Sequence, residues 1–332
     1  GIEATACKGE WIEGLNRMDL NLVSSNFAKQ TFQAMTYDRK DSRTNQIVSQ
    51  LRVEKPIEVL FEGVDDDLYK PLKQSEIKSI DLSEVKEEFC YLFVGHWMQG
   101  EYGHDRKNVG VLIKSFYEAF KNKVGKKPAL ILKASTGIAS YMSRDLILDR
   151  IKSIRQQYGN AKLPNVYLLT GEFDDSEMNE LYNHSKIKAM VSLTKGEGFG
   201  RPLLEFSTTG KPIIASGWSG HMDFLNPEYC VLLPGELENV HPSAANNWLI
   251  KEAQWFKVSD KHAISSLKEV FKHYKQYSKR SRKQRYHAIK NYSWKQMKEL
   301  VNIKLDTNLP QFAQQVELKM PSLNLPQLNK VK

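Results

Sequence analysis

Between residues 84 and 304, short apolar runs alternate with longer amphipathic stretches, and this alternation limits the chain to few architectures. "YLFVG" (Tyr91–Gly95) precedes "VGVLIKSFYEAFKN", "ALILKAS" precedes "MSRDLILDRIKSIRQQYG", and "VYLLTG" precedes "DSEMNELYNHS". "AMVSLT" leads through a glycine-rich loop into a helix, and "KPIIAS" and "CVLLPG" follow. Ile264, Leu267, Phe271 and Tyr274 recur at the spacing of one helix face. Strands linked by helices require crossover connections, which make a parallel sheet with helices on both faces. The expected class is therefore α/β, a Rossmann-like parallel sheet. Residues 1–83 show two helical pieces, "EWIEGLNRM" and "NFAKQTFQAM", and strands in "LNLVSS" and "IEVLFEGV". Residues 305–332 hold three prolines and no period, and read as a tail.

One segment carries chemistry. In "KGEGFGRPLLEFSTTGKPIIAS", Glu197 lies on a turn marked by Gly196, Gly198 and Gly200, and Glu205 lies one turn into a helix. Pro202 suits the start of that helix and Gly210 its stop. The loop follows the strand "AMVSLT" at its carboxyl end, where open α/β sheets bind ligands. Two glutamates near a helix start are ordinary in themselves, because the helix dipole favours them. Glycines, however, let backbone N–H groups approach a ligand closely, and a carboxylate can accept from paired sugar hydroxyls. A ligand that is part phosphate and part sugar fits both features. In "FVGHWMQGEYGHDRKNVGVLIKSF", Arg106 and Lys107 stand at a strand-to-helix junction where they could neutralise phosphate at the top of the same sheet. As an isolated feature this is an ordinary charged loop. His96 and His104 have no third ligand at a suitable spacing, so no metal site is expected.

Composition narrows the function classes. The 332 residues are 41% hydrophobic, enough for one or two sizeable cores. No run approaches the apolar length of a membrane span, and the first residues lack the pattern of a secretory signal. Cys7, Cys90 and Cys230 are isolated, so neither disulfides nor a thiolate metal site is expected, and a reducing cytoplasm is the expected compartment. The net charge of +9 is local: residues 270–298 hold ten Lys or Arg and no acid. The remaining 38 basic residues nearly balance the 39 acidic ones. That stretch is either a solvated helix face or a surface for an anionic partner.

"EGFGRPLLE" (Glu197–Glu205) resembles the E-x7-E motif of retaining GT-B glycosyltransferases of the family 4 type, the glycosyl transferases group 1. "LFEGVDDDLYKPL", "LFVGHWM…RKNVGVLIKSFYEAF", "NVYLLTGEFDDSEMNELYNHSKIKAMVSLTKGEGFG" and "NYSWKQM" resemble other segments of that family, in the same order, across roughly residues 56–300. The resemblance implies a second GT-B domain at 84–304 that binds a UDP- or GDP-sugar; no Asp-x-Asp occurs in that stretch and positive side chains can do a metal's work, so no metal or other cofactor is expected. It implies that Glu205 holds the ribose and that Glu197 faces the donor sugar. The backbone of Gly198, Phe199 and Gly200 would meet the sugar hydroxyls and diphosphate, and Lys107 the diphosphate. Glu172 and Phe173 would line the nucleobase pocket. After the strand-end Gly95 the family's arginine is His96 here, and Arg106 is the candidate replacement for that charge.

"WIEGLNRMDLNLVSSNFAKQTF" resembles only the last third of the family's first domain, so residues 1–83 are expected to be a partial acceptor-side domain. On that expectation the chain binds donor without transferring sugar, its acceptor undefined: glycan, lipid, protein or nucleic acid. Two rivals use the basic stretch: a nucleic-acid-binding module, which leaves the glutamate loop unexplained, and a glycosyltransferase acting on nucleic-acid bases.

Overall fold

The computed structural model describes residues 2–309. The first part of the chain folds as α1 (Gly9–Asn16), β1 (Asn21–Val23), α2 (Asn26–Ala34), β2 (Thr36–Lys40), β3 (Ile47–Arg52) and β4 (Ile57–Val59). The sheet strands then begin with β5 (Cys90–His96), followed by α3 (Val109–Phe120), β6 (Ala129–Ser135), α4 (Tyr141–Gln156) and β7 (Val166–Leu169). Next come α5 (Asp175–Asn183), β8 (Ile187–Ser192), α6 (Arg201–Ser207), β9 (Ile213–Ser216) and β10 (Val231–Leu233). A hairpin, β11 (Gly235–Asn239) with β12 (Gln254–Val258), precedes α7 (Asp260–Lys272), α8 (Tyr274–Tyr292) and α9 (Trp294–Asn308).

The six strands β5 to β10 form one parallel sheet ordered β10-β9-β8-β5-β6-β7. The chain starts in the middle at β5, runs outward one way to β7, then returns to β8 and runs outward the other way. This is the doubly wound arrangement, whose order reverses between β5 and β8. Both faces are covered, so the strands are mainly apolar rather than alternating. Tyr91 and Phe93 of β5 pack with Phe116 of α3 and Leu267 of α7, while Cys90 and Leu92 pack with Leu181 of α5 and Phe206 of α6. The period-2 geometry of a strand sends successive side chains into these two cores. The expected strands and helices of residues 84–304 are all present.

Residues 2–59 build a smaller core around Ile12, Val23, Phe32, Leu51 and Ile57. β1 pairs with β4 in parallel, and Ser25 caps α2 by accepting from Ala28 N–H at 3.2 Å. The β2–β3 hairpin and the β11–β12 hairpin are not marked by the hydrophobic pattern: all of β2 except Tyr37 is exposed, as is most of β3. Helix α9 extends to Asn308, so residues 305–308 are a last helical turn rather than tail, and residues 310–332 of that segment lie outside the described residues.

This smaller part is tied to the large sheet from two directions. Lys304 of α9 bonds Glu58 of β4 at 2.5 Å, and Val64 exchanges backbone bonds with Tyr292 and Trp294. The segment at Thr5 bonds Gln254 of β12 at 2.8 Å through both backbone and side chain. Ala4 is buried with Val240, Ala244 and Trp255 beneath the loop joining β11 to β12. Cys7, Cys90 and Cys230 are buried and unbridged. Among the described residues no helix is long and apolar enough to cross a membrane.

Candidate functional site

The site forms at the carboxyl ends of β5 and β8, where the strand order reverses. The loop after β5 ends in a turn in which Asp105 accepts from the N–H groups of Val109 (3.2 Å) and Asn108 (3.0 Å). Asn108 takes the left-handed conformation that asparagine tolerates, and α3 begins after it. Arg106 and Lys107 are thereby turned back over the sheet. The loop after β8 is stitched to them, since Lys195 N–H donates to the Arg106 carbonyl at 2.7 Å.

Glu197 is the centre of the site. Lys107 Nζ lies 2.5 Å from Glu197 Oε1, and Arg106 Nη1 lies 3.4 Å from Oε2 while donating to the Gly196 carbonyl at 2.8 Å. Glu3 approaches the same guanidinium at 3.4 Å. Burial alone would raise the Glu197 pKa, but the charges of Lys107 and then Arg106 outweigh it and hold the carboxyl at about 2. Glu197 is therefore an anion at every working pH and an acceptor only.

The glycines around it are packed for backbone contact. Ser24 and Ser25 donate to the Gly198 carbonyl at 3.2 and 2.6 Å. The N–H groups of Gly198, Phe199 and Gly200 have no acceptor among the described residues. Gly200 has φ 100°, and the Phe199 side chain is buried against Phe224. A Cβ on Gly220 would stand 2.1 Å from the Gly198 carbonyl oxygen. Gly220→Ala is expected to displace the Glu197 loop and cost about 1–3 kcal/mol, as overpacking does. Its urea midpoint at pH 7 checks this, and a change below about 0.5 kcal/mol, the range of ordinary surface substitutions, would show that the loop yields freely.

Two cavities meet at this loop. One, of about 520 Å³, is lined by Gly95, His96, Arg106, Lys107, Glu172 and Phe173, so it gathers six of the residues singled out from sequence. Ser135, Lys133 and Pro202 also line it. His96 Nδ1 and the Ser135 hydroxyl are 2.8 Å apart, and burial followed by the nearby Lys107 and Arg106 charges lowers the His96 pKa. Lys133 was not anticipated from sequence. It donates to the Gly171 carbonyl at 2.7 Å and lies 4.2 Å from the centre of the Phe173 ring, a cation–π pair. A lysine at the carboxyl end of the otherwise apolar "ALILKAS" was the available signal. The second cavity, about 380 Å³, is lined by Glu197, Gly198, Phe199, Gly200 and Arg201 on one side and by residues of the smaller part and of the β11–β12 loop on the other.

Glu205 lines neither cavity. It is buried, accepts from the Tyr182 hydroxyl at 3.2 Å and pairs with Arg201 at 3.3 Å; burial raises its pKa, and Arg201 counters this. The basic stretch 270–298 is also elsewhere. Lys275, Lys279, Arg282, Lys283 and Lys290 are exposed on α8, without ion-pair partners among the described residues. Three of them border a separate groove away from the Glu197 loop.

Comparison with known proteins gives the same architecture. Residues 147–284 match the family described as "Glycosyl transferases group 1". No curated protein sequence matches the chain. Among solved structures, HepE of Anabaena in complex with UDP and glucose is 15% identical with a TM-score of 0.60, over 90% of this chain and 66% of that one. Sucrose-phosphate synthase of Thermosynechococcus elongatus is 14% identical with a TM-score of 0.61, over 90% and 60%. A glycosyltransferase of Rickettsia africae is 15% identical with a TM-score of 0.59, over 90% and 67%. The chain thus spans less than two thirds of the first two structures. At these identities the likeness establishes a fold, the GT-B type of α/β arrangement.

Proposed function

We propose that this protein is a glycosyltransferase that moves a sugar from a nucleoside diphosphate sugar to an acceptor hydroxyl. The observation that carries the proposal is the convergence of Lys107 and Arg106, which line a 520 Å³ cavity, on Glu197 at the reversal point of the sheet. When the bond from the anomeric carbon to the diphosphate breaks, its electron pair stays on the departing phosphate oxygen. Fixed positive charge aimed at that oxygen is the largest catalytic effect such a site can supply. Lys107 and Arg106 are the groups placed to supply it, which supports a metal-independent reaction. Glu197, held ionised, would accept hydrogen bonds from donor-sugar hydroxyls. Retention at the anomeric carbon rests on the E-x7-E resemblance. The HepE structure with UDP and the family match support a nucleotide sugar as donor.

In this proposal Phe173 and Glu172 flank the nucleobase, and Glu205 accepts from ribose hydroxyls once Arg201 moves aside. Calorimetry with UDP and GDP tests the assignment. Phe173→Ala is expected to weaken binding by about 1–3 kcal/mol, the range for loss of a base-stacking ring. Glu205→Ala is expected to weaken it by about 1.5–3 kcal/mol, the range for hydrogen bonds to a charged group. Absence of binding by either nucleotide would overturn the proposal, unchanged affinity in Phe173→Ala would displace the nucleotide from this cavity, and unchanged affinity in Glu205→Ala would remove Glu205 from the ribose contact.

A further inference from the structure

The second cavity faces the same carboxylate from the other side, and its lining has a definite chemistry. Glu197 borders it, while Lys107, 2.5 Å away, borders the first cavity, so molecules occupying the two would meet at Glu197. Across from the glycine loop stand Trp11 and Trp248, with ring centres 5.9 Å apart at 62°, together with Glu3, Glu62 and Ser24. Trp248 is 74% exposed. That exposure is not caused by an unfinished core, because the loop carrying it buries Val240, Ala244 and Ala253 on its underside. Asn246 Oδ1 accepts from the N–H groups of Trp248 and Leu249 at 2.8 and 3.0 Å, fixing the turn that presents the indole. Glu62 is exposed and has no hydrogen-bond or ion-pair partner among the described residues.

We infer that this cavity is the acceptor site and that the acceptor is a neutral saccharide, seated against Trp11 and Trp248 with its hydroxyls on Glu62 and Glu3. The inference rests on the transferase proposal for its link to catalysis. Three features select the class. A pyranose has an apolar C–H face and a rim of hydroxyls, and indole pairs present the apolar, partly polar surface that such a body needs. Ionised carboxylates accept hydrogen bonds and donate none, so they suit vicinal hydroxyls. Of the carboxylates around the cavity, Glu197 is paired with Lys107 and shares Arg106 with Glu3, and the lining Arg201 is paired with Glu205, so the unpaired Glu62 leaves an excess of negative charge that disfavours a phosphorylated or acidic acceptor.

Saturation-transfer NMR of the full chain with the methyl glycosides of glucose, galactose, mannose and N-acetylglucosamine tests the site, with UDP and GDP calorimetry alongside. At least one glycoside is expected to bind, with methyl glucuronide at least ten-fold weaker. Trp248→Ala and Glu62→Gln, both at exposed positions, are expected to weaken glycoside binding ten-fold or more with nucleotide affinity unchanged. If nucleotide binds but no glycoside does, or if a serine peptide binds in their place, the saccharide inference falls and the transferase proposal stands. Glycoside binding that ignores both substitutions also overturns it. Glycoside binding that depends on Trp248 without any nucleotide binding would keep the saccharide site and remove the transferase proposal.

Discussion

Lys107→Ala is expected to lower sugar transfer by the full-length protein about 10²–10³-fold, the effect of removing one preorganised donor from a transition state. The substitution also leaves Glu197 buried beside a vacated position, with only Arg106 at 3.4 Å. Breaking one side of a buried ion pair costs about 3–5 kcal/mol of stability, because the remaining charge stays desolvated. The two effects separate in the double variant Lys107→Met with Glu197→Gln, which removes both charges. Its stability should recover toward the parent while turnover stays low. Initial rates of nucleotide release from UDP- and GDP-sugars, with urea midpoints beside them, give both quantities. A fall of only a few-fold in Lys107→Ala would make Arg106 the main phosphate clamp.

Acid should destabilise the fold through the same pair. The Glu197 carboxyl is lowered from an ordinary 4.5 to about 2, so its unfolded form takes up a proton first as the pH falls. Its stabilisation is complete above pH 4.5 and is lost as the pH falls through the folded value near 2. The difference amounts to about 3 kcal/mol at 1.36 kcal/mol per pH unit. Urea midpoints from pH 7 to pH 3 should fall more steeply for the parent than for Glu197→Gln, which has no such group to titrate. The variant should start lower at pH 7, where Lys107 lacks its counter-charge, and its curve should be flatter in acid. Parallel curves would mean that Glu197 is not the group that couples folding to protons.

The alternation of "YLFVG", "ALILKAS" and the later runs with amphipathic stretches determined a parallel sheet covered on both faces, because a strand buried on two sides is apolar along most of its length. The glycine loop, Glu197 and the Arg106–Lys107 turn were legible for a related reason: each lies in the loop between such a strand and the next helix, and carboxyl strand ends are where these sheets bind ligands. Local pattern could not reach further. Lys107 and Glu197 are 90 residues apart in sequence, and only the adjacency of β5 and β8 places them 2.5 Å from one another. The same packing turned Glu205 toward Tyr182 and Arg201 instead of into a cavity, and brought Lys133 over Phe173 at 4.2 Å. Trp11 and Trp248 lie in segments that carry no shared pattern, and they meet because Ala4 and Thr5 are packed and hydrogen-bonded under the β11–β12 loop. Periodicity reports which face of an element is buried; which elements become neighbours is fixed by the strand order and by long-range packing, and those contacts made the site.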